Sequence, residues 1–119
     1  MGTGYPIVIH DATSGEWLHF KHPRQIVTTT NLDEVLPALH EIESAVNKNS
    51  WYAAGFISYE ASPAFDSALV SHQSPDFPLL WFGLYSKPQR TRSLSHQGGS
   101  YQFGKWIPSV NRKTYNAAI

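Results

Sequence analysis

Cysteine is absent from the 119-residue chain. Its absence removes disulfides, thiolate zinc sites and thiol nucleophiles together, and it agrees with a reducing, cytoplasmic setting. An excess of charge of either sign is also missing, because nine Lys and Arg balance nine Asp and Glu. The basic residues form no polybasic cluster, which argues against a nucleic acid or a membrane surface as partner. No apolar run is long enough to span a bilayer. Residues 1–15, MGTGYPIVIHDATSG, have neither a positive start nor a long apolar core, so no signal peptide is expected. No internal repeat is visible.

Aromatic residues are plentiful: four Trp, six Tyr and six Phe in a chain that is 41% apolar. This is globular composition, enough for one domain or part of one. Residues 5–9 are apolar and partly β-branched, and residues 16–20 alternate polar with apolar. Both read as strands, joined into a hairpin by the turn formers of residues 11–15. Residues 25–29 form a further β-branched strand. Residues 30–49 form the one clear helix, with Leu32, Val35, Leu36, Leu39, Ile42 and Val46 on one face. Thr30 with Asp33, or Asn31 with Glu34, supplies the cap. Pro37 either places the regular start near Asp33 or Glu34 or kinks the helix, since proline costs about 3 kcal/mol in a helix interior. An Asn of the tail Asn47-Lys48-Asn49-Ser50 suits the left-handed stop.

Residues 51–60 form the next strand, in which Gly55 signals close backbone approach or a bulge. Residues 61–69 make a turn with a short helical piece, and residues 71–77 a polar loop. Residues 78–85, PLLWFGLY, are too continuously apolar to leave one face in water. Residues 86–100 are polar and basic and read as a flexible surface loop. Residues 101–107 alternate again, and Pro108 ends them. Ser109 or Asn111 then caps a helix over residues 112–119 that is too short to stand alone. The expected architecture is α+β: one mainly antiparallel sheet centred on the strands at 51–60 and 78–85, with the main helix packed on one face.

Few residues invite chemistry. His19 and His22 lie three apart at a strand end, but no third ligand accompanies them, and a catalytic zinc needs three. Ser58 lacks the flanking glycines of a nucleophile elbow, and Gly98-Gly99 alone makes no phosphate loop. Glu60 closes an apolar strand, where a carboxylate must be solvated, capped or paired. Arg24, Lys105 and the amides of residues 62–64 are its possible partners, and the expected role is to lock the following turn. Tyr59 packs or bonds locally, and Asp66 serves as a cap or turn residue.

Residues 55–61 (GFISYEA) and 63–66 (PAFD) resemble the first component of aminodeoxychorismate synthase, within the chorismate-utilising enzymes related to anthranilate synthase component I. Residues 78–85 and the run Trp106-Ile107-Pro108-Ser109, with Tyr115 and residues 117–119, extend the similarity in order and spacing over nearly the whole chain. The resemblance implies that residues 1–107 are the N-terminal region of a larger fold, and that residues 108–119 begin its chorismate-binding catalytic domain. It implies an enzyme that aminates chorismate to 4-amino-4-deoxychorismate for folate biosynthesis, with ammonia from a glutamine amidotransferase that is either a subunit or a fused domain. The catalytic residues and the Mg2+ ligands of such an enzyme lie downstream and match nothing here, so no catalytic or metal residue is assigned to this chain. Relatives bind tryptophan through a Leu-Leu-Glu-Ser type motif, matched here by Ile9, His10, Asp11 and Ala12. Ala12 lacks the serine hydroxyl and His10 replaces an aliphatic residue, so weak or absent tryptophan binding is expected. The anthranilate branch is the nearest alternative. A self-contained aromatic-rich binding module is the alternative of another class. A piece of a larger fold is expected to self-associate through exposed strand edges.

Overall fold

The computed structural model describes residues 6–74, 76–94 and 98–119. The chain is α+β, with two three-stranded antiparallel sheets and one main helix. Strands β1 (Ile7–Asp11) and β2 (Glu16–Phe20) form the expected hairpin. Tyr5, placed by its sequence in the first strand, lies outside the described residues. The strand itself runs to Asp11, because that residue still pairs with Glu16. Strand β3 (Gln25–Thr29) leads into helix α1 (Leu32–Asn49). Strand β4 (Tyr52–Ile57) is followed by a 3-10 helix (Tyr59–Ala64). Strand β5 (Leu80–Tyr85) precedes the short β6 (Gln89–Thr91), and α2 (Arg112–Ala118) comes last.

Two sheets stand where one was expected. One has the order β1-β2-β6 and the other β3-β5-β4. The division occurs at residues 21–24, where His22 adopts a left-handed backbone (φ 57°) and the chain turns out of one sheet into the other. Strand β5 is central as expected, but β4 is an edge. The run at 86–100 is not all loop. Gln89, Arg90 and Thr91 pair with His19, Leu18 and Trp17, so a partner strand organises residues whose own composition is polar. Residues 95–97 of that run and residue 75 of the polar loop lie outside the described residues. Residues 101–107 pair with no strand among the described residues. Alternation alone makes no strand without a neighbour to bond.

Helix α1 starts where Asn31 caps it, its side-chain oxygen accepting from the Asp33 amide at 2.9 Å. Thr29 supports the same corner: its hydroxyl accepts from the Asn31 amide and donates to the Glu34 carboxylate. Pro37 sits in the second turn of an unbroken helix. Its missing N–H leaves only the Asp33 carbonyl without its helical donor. The helix ends at Ser50 in the left-handed conformation, a role expected of an Asn, with the Ser50 and Trp51 amides both donating to the Val46 carbonyl.

Val35, Ala38 and Ile42 bury the inner helix face against Val27, Leu79, Leu80 and Leu84, with Ala61 of the 3-10 helix completing the cluster. Leu36, expected on this face, points outward instead. Each fully buried aliphatic side chain contributes roughly 1.5–3 kcal/mol, so this cluster is the main source of stability. A second cluster, Phe20, Ala54 and Tyr85 with Ile7 and Leu18, joins the two sheets. There the Phe20 and Tyr85 rings lie 5.2 Å apart. The Tyr85 ring fills the space above Gly83 that a Cβ would need. Gly55 answers to its expected close approach: a Cβ there would meet the Trp81 carbonyl and, at 2.7 Å, the Phe82 Cα. Residues 98–119 have no buried member. The radius of gyration, 18.7 Å, exceeds the roughly 13–14 Å of a compact domain of this length.

Candidate functional site

Three places bear on function: the hairpin turn at His10–Ala12, the corner after β4, and a cavity beside β2 and β6. At the hairpin, strand alternation sends His10 and Asp11 to opposite faces of the sheet. The His10 ring packs on Trp17 with centroids 4.6 Å apart. Asp11 turns inward to its own loop. Its carboxylate accepts from the Thr13 amide and the Ser14 hydroxyl, each at 3.0 Å, and its carbonyl accepts from the Gly15 amide at 2.8 Å. Arg90 of β6 reaches both Asp11 (3.8 Å) and Glu16 (3.5 Å). The Ser14 hydroxyl, then the Thr13 amide, and more weakly the Arg90 guanidinium hold the Asp11 carboxyl below the usual carboxylate range. Ala12 is exposed in the turn. His10, Asp11 and Ala12 therefore do not converge on one concavity. Asp11 is committed to closing the hairpin, as Asp commonly is at such turns.

At the corner after β4, backbone groups rather than the Glu60 carboxylate close the turn. The amides of Ala61, Phe65 and Asp66 donate to the carbonyls of Ser58, Ser62 and Ser62. Glu60 takes part through its backbone oxygen, which accepts from the Ser71 hydroxyl at 2.9 Å and the Gln73 side chain at 3.3 Å. These two bonds tie the polar loop back onto the corner. Asp66 caps the next bend by accepting from the Ala68 amide at 2.9 Å. Tyr59 projects into solvent, 82% exposed. Ser58 hydrogen-bonds the Leu79 carbonyl through both its amide and its hydroxyl, so it is a fastener between the corner and β5.

The cavity, of about 200 Å3, is lined by His19, Lys21, Gln89, Thr91 and Ser93. Its existence depends on β6, which a reading of residues 86–100 as loop does not supply. Within the sequence, uncharged Gln89, Thr91 and Ser93 alternate with Arg90 and Arg92, which by itself points to no cavity. His19 is held here by Thr91, whose hydroxyl lies 3.2 Å from the imidazole Nε2, while His22 lies exposed at the bend between the sheets. Among the described residues, no group of three or more His, Asp or Glu is placed to hold a metal ion.

Comparison with known proteins yields no match to a family model, to a curated protein or to a solved structure. Among the described residues, no helix is long and apolar enough to cross a membrane.

Proposed function

We propose that this chain is the N-terminal, non-catalytic portion of a chorismate-utilising enzyme of the para-aminobenzoate branch. The observation that carries the reading is the motif at residues 55–66, GFISYEASPAFD, followed at matching spacing by PLLWFGLY at residues 78–85. The two runs are coupled in space, since β4 and β5 pair along their full length and Ser58 fastens the intervening corner to Leu79. A motif of this kind serves to build a sheet and its exit corner, which agrees with a supporting role rather than a catalytic one.

In this reading the α+β body, residues 1–107, is one part of the larger chorismate-enzyme fold, and residues 108–119 lead into the catalytic domain. Chorismate, Mg2+ and the acid-base residues belong to that domain, ammonia comes from a glutamine amidotransferase partner, and the whole works in the cytoplasm. The test is to express the full-length protein that carries this chain, and to supply chorismate, ammonia and Mg2+. Formation of 4-amino-4-deoxychorismate is expected. Anthranilate as product would move the chain to the tryptophan branch, and no consumption of chorismate would overturn the reading.

Tryptophan is expected to bind weakly or not at all, because Asp11 is already engaged by Ser14 and Thr13 and Ala12 offers no hydroxyl. Micromolar binding in a calorimetric titration would contradict this. The edges of both sheets and the apolar side chains of residues 101–119 favour self-association of the isolated chain. A monomer that unfolds in two states at every concentration would instead favour a self-contained binding module.

A further inference from the structure

We propose that the cavity beside β2 and β6 is a binding site for a small oxyanion, the carboxylate or phosphate group of a compact metabolite. The inference stands on this cavity alone and does not depend on the chorismate reading.

The strand register creates the site. His19 lies directly opposite Gln89, and Trp17 opposite Thr91, so these four side chains share one face of the sheet. Lys21, just past the end of β2, and Ser93, two residues past the end of β6, complete the lining. The acidic side chains of this sheet lie on the other face. Asp11 and Glu16 are cross-strand partners, and both are engaged by Arg90. The cavity lining therefore contains one ammonium, one imidazole, one carboxamide and two hydroxyls, and no carboxylate. Such a set offers many donors and one fixed positive charge, which is the complement of a small anion.

The His19–Thr91 contact preserves a donor in either tautomer. If Nε2 carries the proton and donates to Thr91, the Thr91 hydroxyl hydrogen is free to point into the cavity. If Thr91 donates to Nε2, the proton sits on Nδ1, which becomes the free donor. The volume, about 200 Å3, falls below the roughly 300–1,000 Å3 of sites for drug-sized ligands. The ligand is thus a small molecule or a single anionic group of a larger one.

The experiment is an amide-resolved NMR titration of the full 119-residue chain with inorganic phosphate and, separately, with acetate, at constant ionic strength held by chloride. Saturable shifts confined to residues 19–21 and 89–93 are expected, with half-saturation of about 1 mM or tighter for the preferred anion. The tighter of the two anions identifies phosphate or carboxylate as the group recognised. Lys21→Met is expected to weaken binding at least tenfold. Lys48→Met, which removes the same charge from the end of α1, is expected to leave it unchanged. Shifts that do not saturate, or equal weakening by the two variants, would show general charge screening and overturn the proposal.

Discussion

The helix-covered sheet and the C-terminal segment carry similar sequence signals and meet different fates. In the first, Val35, Leu79, Leu80 and Leu84 vanish completely or nearly so from solvent. In the second, Tyr101, Phe103 and Ile107 fall on one side of a strand-like alternation and Trp106 on the other, yet each is at least 74% exposed. Helix α2 has a cap as regular as that of α1, with Asn111 accepting from the Thr114 amide at 2.8 Å, but it buries nothing. Patterning is a capacity, and burial is realised only when a second surface is supplied. Charge divides along the same line. Residues 1–85 contain all nine acidic side chains, whereas residues 86–119 contain six of the nine basic ones and no acid. The zero net charge of the whole conceals an acidic body and a basic C-terminal third.

The largest predicted effect separates the two regions directly. Leu80→Ala should destabilise the chain by about 3–4 kcal/mol, because it empties a fully enclosed site. Trp106→Ala should change stability by less than about 0.5 kcal/mol. Urea unfolding followed by circular dichroism measures both, and a Trp106→Ala cost near that of Leu80→Ala would mean that the C-terminal segment is packed in solution.

Next in size, Gly55→Ala should cost about 2–3 kcal/mol, since its methyl would meet β5 backbone rather than a movable side chain. An unchanged melting temperature would show that β4 and β5 part easily. The caps sharpen the comparison further. Asn31→Ala should cost about 1 kcal/mol, whereas Asn111→Ala should leave global unfolding unmoved, because α2 is not coupled to the core. Parallel denaturant titrations of the two variants decide this, and an equal loss from both would join α2 to the body.

The smallest effect is one of pH. The folded-state pKa of Asp11 is lowered by Ser14, Thr13 and Arg90, so its contribution is present above the unfolded-state value near 3.8 and is lost as pH falls through the lower folded value. Amide exchange in the hairpin should therefore quicken relative to the helix as pH drops below about 4. Asp11→Asn should remove that difference, and a hairpin whose protection follows α1 at all pH values would rule it out.

Much of the fold is legible in the residues themselves. The hairpin at Asp11–Gly15, the helix over Leu32–Asn49, the central place of Leu80–Tyr85 and the tight approach at Gly55 all follow from period, turn chemistry and composition. The errors share a cause, which is dependence on distant partners. β6 is a strand because β2 lies beside it, β4 is an edge because among the described residues no strand pairs with it beyond β5, and Leu36 faces water because the sheet covers only part of the helix. The candidate sites divide in the same way. The hairpin and corner residues were identifiable from their turn chemistry, although it is the backbone that closes the corner at Glu60. The cavity was invisible, since His19 and Thr91 are 72 positions apart and no local pattern joins them.

The sequence by itself determined the α+β class, the main helix and its Asn31 corner, and the motif from Gly55 to Asp66 on which the proposed function rests. These are local properties, set by side-chain period and by hydrogen bonds between near neighbours. Only the tertiary structure decided that there are two sheets rather than one, that Asp11 and Glu16 gather with Arg90 on one face of the first, and that His19, Lys21, Gln89, Thr91 and Ser93 line a common space. Strand pairing sets those outcomes, and the free energy of pairing depends on surfaces brought together from far along the chain.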